Sequence, residues 1–380
     1  MAAIGGVGRA GRLVTAIVQS AITIALFIFM LGALVVIHEL GHFIVARLAK
    51  IRVHEFGIGF PPRARILKQG GETLYTLNWL PIGGFVRLEG EDGDSDDPRS
   101  FTSARLPVKL AVLVAGVLMN LLLAFAIFFF IAWLATPLGG VRFDGVQPDS
   151  PASRAGLVSG DMVVSIDGET YDYFGGPDAL LVDLRAHAGS DVALEIKGTD
   201  GTVTEVTTTL RTQAEIDANK GALGITGLRF AFTGEYIQQD PLTALRLGVE
   251  RTVSAFAMIL DGLGQLASSI VTNPTGAPPV SGPVGIAVQV GDVFWQLGPI
   301  FVLYLAGLLS ANLALFNILP FPPLDGGRIV VTLIKSVAGT RLSIQAERLT
   351  YLVGFVALFG LMIWITFFDV VRQIGGGATP

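Results

Sequence analysis

His38-Glu39-Leu40-Gly41-His42 sets two imidazoles four residues apart with a carboxylate between them. Residues i and i+4 share one face of a helix, so both rings can turn toward one cation while Glu39 faces the position the ligands leave open. This is the H-E-x-x-H pattern of hydrolytic zinc sites. Such a site needs a third protein ligand and one position kept for water. Asp325 is the candidate. It ends Asn317-Ile-Leu-Pro-Phe-Pro-Pro-Leu-Asp325-Gly-Gly, where three prolines and two glycines interrupt an apolar run. Irregular backbone at membrane depth is tolerated only against protein or a water-filled cavity. The remaining histidines are weaker candidates: His54 follows a helix exit and His187 falls in a separate module, so both read as surface residues. In this arrangement Glu39 is the general base and proton shuttle for water attacking a peptide carbonyl that the metal polarises. Asn317 offers an amide to substrate backbone or to the developing oxyanion, or simply ends a helix.

The elements that must position these groups are membrane helices. Of 380 residues 51% are hydrophobic and 15% charged, against roughly 25% charged in a soluble domain. Four runs, 13–37, 110–141, 293–324 and 349–368, contain no Asp, Glu, Lys, Arg or His, and each reaches the roughly 20 residues a spanning helix needs. A fifth uncharged run, 262–291, is interrupted by Asn273-Pro274, Pro278-Pro279 and Ser281-Gly282-Pro283 and is not counted. Arg9 and Arg12 before the first run resemble the start of a secretory signal, but the run is too long for one and leads straight into His38. Lys and Arg gather beside the first and third connections (Arg47, Lys50, Arg52, Arg105, Lys109; Arg328, Lys335, Arg341, Arg348), which puts both in the cytoplasm and the middle connection outside. Arg9 and Arg12 count against that orientation. The net charge of −5 and the lack of a long basic block leave no footprint for nucleic acid. With no cysteine, any metal must be held by His, Asp or Glu.

The middle connection carries a β-rich module with alternating segments at 162–166, 192–196 and 203–210, broken by Asp167-Gly168 and Asp200-Gly201, and with short helices at 151–156 and 177–188. Residues 241–270 have apolar positions at helical spacing with Arg246, Glu250, Arg251 and Asp261 among them, which fits an amphipathic helix on the membrane surface. The acidic stretch 89–97 departs from the calcium-loop pattern and reads as a solvated loop. No chemistry is assigned to 281–286.

His38 to Phe43, Asn317 to Gly326 and Gly116-Val-Leu-Met-Asn120 together resemble the site-2 protease family of intramembrane zinc metalloproteases, in particular its bacterial regulator-of-sigma-E protease type, over nearly the whole chain. Val117 stands where that family commonly has proline. The resemblance implies a polytopic α-helical protein of the bacterial cytoplasmic membrane with four transmembrane helices and one inserted extracytoplasmic PDZ-like β domain. It implies Zn2+ held by His38, His42 and Asp325, with Glu39 catalytic and Asn317 and Asn120 binding substrate. It implies, as partners, the lipid bilayer and single-span membrane proteins such as anti-sigma factors or signal-peptide remnants, cleaved in or near their membrane helix. Residues 72–79 and 85–89, joined across 81–84, read as a hairpin, and the family uses such a membrane-dipping β element beside its active site, where an edge strand can pair with unwound substrate. Gln147 to Leu157, Ser159-Gly160-Asp161 and Ile166-Asp167-Gly168 resemble a circularly permuted PDZ domain, which would capture peptide ends or filter substrates by bulk.

The expected organisation is 1–136 for the first two spans with the hairpin loop, 137–212 for the PDZ-like domain, 213–297 for the amphipathic helix and linker, and 298–380 for the last two spans. Two other functions fit parts of the pattern. A membrane scaffold with a structural metal would want a fourth ligand, and an ion or metal transporter would leave Glu39 without a task.

Overall fold

The charge-free run at 13–37 and the residues after it form one continuous helix, α1 (Arg9–Leu48), in a computed structural model that describes residues 9–91, 95–217, 220–338 and 344–375. Along the chain follow β1 (Val53–Gly70), β2 (Thr73–Leu88), α2 (Leu106–Ala135), β3 (Thr136–Arg142), β4 (Gly145–Val146), α3 (Pro151–Arg154), β5 (Met162–Ile166), β6 (Glu169–Asp172), α4 (Asp178–Ala186), β7 (Asp191–Lys197), β8 (Val203–Thr209), β9 (Ile225–Thr226) and β10 (Arg229–Ile237). Helices α5 (Pro241–Thr272), α6 (Pro283–Gln296), α7 (Pro299–Ile318), α8 (Asp325–Ala338) and α9 (Ile344–Ile374) complete it. Two units result: Met1–Phe129 with Arg246–Pro380, and Phe130–Leu245. Arg341 and residues 92–94 of the acidic loop lie outside the described residues.

Among the described residues, five helices are long and apolar enough to cross a membrane: Leu13–Leu48 of α1, α2, α5, α7, and Gln345–Ile374 of α9. Four fall where the sequence puts spans. The fifth, α5, reaches the same length and composition despite its charges. It turns Leu242, Val249, Val253 and Leu260 outward and buries Arg251, while Arg246, Glu250 and Asp261 stay exposed. Gly248 lets it close on α2, since a Cβ there would lie 3.2 Å from Phe125 and Phe129.

The β element of the first unit is not the expected hairpin. Phe56 pairs with both Tyr75 and Val86, and Ile58 with both Leu77 and Gly84. Residues 55–58 of β1 therefore lie between the two halves of β2, while 63–70 covers the far side of 73–78, giving the order 63–70, 73–78, 55–58, 84–88. The central stretch escapes a pattern search because Gly57 and Gly59 break its alternation. Gly57 is required there, since a Cβ would meet the Phe85 ring at 2.3 Å. Residues 84–88 are left as an edge, with no strand beyond them among the described residues. The turn at 80–84 lies against the apolar half of α1: added Cβ atoms on Gly32 and Gly84 would come within 3.0 Å of Pro81 O and 3.3 Å of Val36. Trp79, Leu80 and Ile82 are exposed at this tip.

The segment 281–286 starts α6, and its partner is a carboxylate late in α9. Asp369 is buried, accepting from Gly282 N–H at 3.2 Å and Gly285 N–H at 2.9 Å, with Arg372 Nη1 at 3.8 Å. A helix start with unpaired amides favours an anion, and glycine lets it approach: added Cβ atoms would lie 2.9 and 3.0 Å from the Asp369 oxygens.

The second unit is built on a six-stranded sheet in the order β10-β3-β6-β5-β7-β8, with β4 and β9 paired separately. Inward positions along β7 alternate as strand geometry demands, and Phe143, Val163, Ile166, Leu180, Leu194 and Leu223 fill the core. Asp167 and Gly168 both take positive φ and turn β5 into β6. Ser150 caps α3 by accepting from Ser153 N–H. Strand β10 and Leu223 come from the stretch assigned to a helix and linker, so the β module continues past 212. The expected boundary stops at 212 because β10 pairs with β3, some ninety residues earlier, and local pattern carries no trace of that partner.

Candidate metal centre

Helix α1 presents His38 and His42 on one face, as the i, i+4 spacing requires. Helix α7 ends at Ile318, the proline-rich stretch 319–324 turns the chain, and Asp325 opens α8 as its first residue. The turn is tight because glycine permits it: a Cβ on Gly326 would lie 2.2 Å from Ile318 O, and one on Gly327 would lie 2.7 Å from Phe321 O.

These elements bring three ligand atoms to one point. Asp325 Oδ2 lies 3.0 Å from His38 Nε2 and 3.2 Å from His42 Nε2, and the two ring nitrogens are 3.1 Å apart. All three residues are buried. Among the described residues this is the one group of three or more His, Asp or Glu able to hold a metal. The triangle fits zinc, whose tetrahedral bonds of about 2.0–2.1 Å separate ligand atoms by roughly 3.3 Å. The donor set fits as well. His42 Nδ1 donates to Val112 O at 2.7 Å, which leaves its Nε2 lone pair for a cation. Asp325 Oδ2 is buried and accepts no hydrogen bond in good geometry among the described residues.

Helix α2 forms the wall behind the rings. A Cβ on Gly116 would sit 2.4 Å from His42 Nε2 and 2.8 Å from His38 Nε2, so only hydrogen fits there. A Cβ on Gly41 would likewise strike Ala115 O at 2.4 Å. Asn120, one turn after Gly116, is fully buried with Nδ2 3.5 Å from His38 Nδ1, while its Oδ1 has no partner among the described residues. Turning the amide over would place that oxygen as acceptor for the ring N–H. Its backbone carbonyl accepts from Ser310 of α7 at 2.7 Å.

Glu39 lines a cleft of about 70 Å³ with His42 and Asp325, and Val86 and Leu88 of the edge stretch line it too. Asn317 is half-buried in the last turn of α7 and is not among the residues that line this cleft. His54 instead pairs with Glu89 at 2.5 Å and His187 bonds the Asp183 carbonyl at 2.9 Å, in keeping with their reading as surface residues. Sequence reasoning missed Val112 and the steric role of Gly116; a glycine four residues before Asn120 in an otherwise bulky apolar helix was the available signal.

A profile of peptidase family M50 matches residues 26–361. A Clostridium perfringens protein bearing a zinc-metalloprotease name is 34% identical over 344 residues, 90% of this chain and 97% of that one. The zinc metalloprotease RasP of Geobacillus kaustophilus is 28% identical over 435 residues, 93% of this chain and 99% of its own. Among solved structures, the PDZ domain of an SdrC-like protein from Listeria innocua matches 23% of this chain and 90% of its own at 24% identity, with a TM-score of 0.19.

Proposed function

Since the chain belongs to peptidase family M50 and is a multi-pass zinc metalloprotease, we propose that it cuts single-span membrane proteins in or near their membrane helix, with Glu39 as the general base. The observation that carries this reading is the His38–His42–Asp325 triangle directly after a charge-free run of α1, with Glu39 in the same cleft.

His38, His42 and Asp325 would hold the zinc, which supplies Lewis-acid polarisation of the scissile carbonyl and a more acidic attacking water. Glu39 takes the proton from that water and delivers it to the leaving amide nitrogen. Asn120 holds the His38 ring rather than touching substrate, because a fully buried side chain has no face to offer one. Asn317 remains the candidate to receive substrate backbone at the end of α7.

A helical substrate hides its carbonyls in i to i−4 bonds and must be unwound first. The edge stretch 84–88 has no strand paired on its outer side among the described residues, so an extended peptide can add to it as one more strand beside the cleft that Val86 and Leu88 line. The exposed Trp79, Leu80 and Ile82, and the packing of the 80–84 turn on α1, support a tip that dips into the apolar layer.

In the arrangement we favour, α1, α2, α7 and α9 span, α5 lies along the membrane surface, and the β element and α8 face the cytoplasm of a bacterial inner membrane. The unit Phe130–Leu245 is then an extracytoplasmic PDZ-like domain, supported by the 147–157 and 166–168 motifs together with its sheet and two short helices. Anti-sigma factors and signal-peptide remnants have the single span such a site accepts.

Purified protein should hold about one zinc, and Glu39→Gln should keep the metal but stop cleavage of a membrane-embedded peptide. Undiminished proteolysis by that variant would overturn the role of Glu39.

A further inference from the structure

The metal cleft has a polar wall for which hydrolysis as described has no use. Glu91 follows the edge stretch closely, and its two carboxylate oxygens are both committed. Oε2 accepts from Leu88 N–H at 3.1 Å, while Oε1 lies 2.7 Å from Nη1 of Arg328, one helical turn after Asp325. Glu91 and Arg328 line the cleft together with Glu39, His42 and Asp325.

The direction of the Leu88 amide gives this contact its meaning. Glu89 N–H donates to Arg52 O, on the inner side of the strand. Amides alternate along a strand, so Leu88 N–H points to the outer side, as do those of Val86 and Gly84 by the same alternation. The outer side is where an added strand must pair. At Leu88 that place is taken by a carboxylate, and a charge-assisted acceptor outcompetes the neutral carbonyl of an incoming peptide.

We propose that Glu91, anchored by Arg328, is the register stop of the substrate-pairing edge, and so determines which peptide bond is cut. A substrate strand pairs alongside Gly84 and Val86 and can advance no further, because Leu88 is closed to it. The bond presented to His38, His42 and Asp325 follows from that limit. This rests on the hydrolytic reading of the site given above.

The experiment reads the bond that is cut. Zinc-loaded full-length protein digests a synthetic peptide with an alanine-leucine span broken by one Gly-Ser pair, reconstituted in phosphatidylcholine vesicles, and mass spectrometry identifies the fragments. The parent protein should give one dominant cut. Glu91→Ala frees Leu88 N–H and should add a second cut displaced by two residues, because a strand that keeps its faces slips in steps of two. Glu91→Gln keeps an oxygen for the Leu88 amide but loses the charge that lets it outcompete a peptide carbonyl, and should show the displaced cut at a smaller share than Glu91→Ala. Arg328→Gln unanchors Glu91 and should show the displaced cut at a smaller share, which carries the test should Glu91→Ala lose its zinc. A single parental cut from both Glu91→Ala and Arg328→Gln, each holding zinc, overturns the proposal. A zinc-loaded parent that cuts nothing overturns the hydrolytic reading instead.

Discussion

Two buried carboxylates in the helical unit, Asp325 and Asp369, look alike in the sequence and differ in what surrounds them. Each borders a long apolar run and each depends on glycines, Gly326 and Gly327 following Asp325 in the chain and Gly282 and Gly285 meeting Asp369 across the fold. Asp369 faces donors: two backbone N–H groups at the start of α6 and the Arg372 guanidinium. Its charge is satisfied by protein alone. Asp325 faces two ring nitrogens, one of them turned by Val112 to present a lone pair, so the corner gathers acceptors, and Arg328 in the same cleft is paired with Glu91 instead. An anion among donors holds a fold together, whereas an anion among acceptors calls for a cation.

The most severe break of this contrast is Asp325→Asn. It should lower zinc content well below one per chain and cut proteolysis at least about a thousandfold, read by metal analysis and peptide cleavage. Zinc retained at the parental level would mean that Asp325 is no ligand. Gly116→Ala comes next. Its methyl group must displace a ligand ring, so zinc affinity should fall by roughly 10–100-fold, measured in competition with a chelator. Asp369→Asn should act the other way round: zinc and turnover per zinc stay, while stability drops by about 1–3 kcal/mol, seen as a lower thermal midpoint in detergent. Loss of metal from that variant would erase the distinction between the two carboxylates.

The smallest effect concerns a third kind of carboxylate, exposed and paired. The Arg99 fork on Glu72 holds its carboxyl below the usual range, and bonds from Ser95 and then His54 do so for Glu89. A depressed pKa contributes stability above the unfolded-state value, lost as pH falls through the folded-state one. Protection from hydrogen exchange around 95–103, taken relative to the intrinsic exchange rate at each pH, should therefore fall below about pH 4. No such change with acid would mean these surface pairs do not order the loop.

The group that could hold a metal was legible because its chemistry is local: four-residue spacing sets the histidines on one face, and a broken helix marks Asp325. Asp369 was not, since the charge-free run ends one residue before it and a carboxylate there looks like an ordinary span end. Its partners lie some eighty-five residues away. The central β stretch at 55–58 was hidden by Gly57, which makes room for the Phe85 ring, and by Gly59, which lies against the Leu80 carbonyl, and β10 by a partner far back in the chain. Glu91 sat in an acidic segment whose composition reads as solvent-facing, though its carboxylate reaches back three residues and across to α8.

One consequence follows from α1 being a single unbroken rod. The run at 13–37 extends about 37 Å at 1.5 Å per residue, against a hydrocarbon thickness of roughly 30 Å, and the ligand histidines follow it directly. A thinner or thicker bilayer changes the tilt of that rod, and with it the depth at which His38 and His42 stand below the headgroups. If the chain cuts within a partner's span as proposed, helix α1 acts as a ruler, and lipid composition would shift where along that span the cut falls.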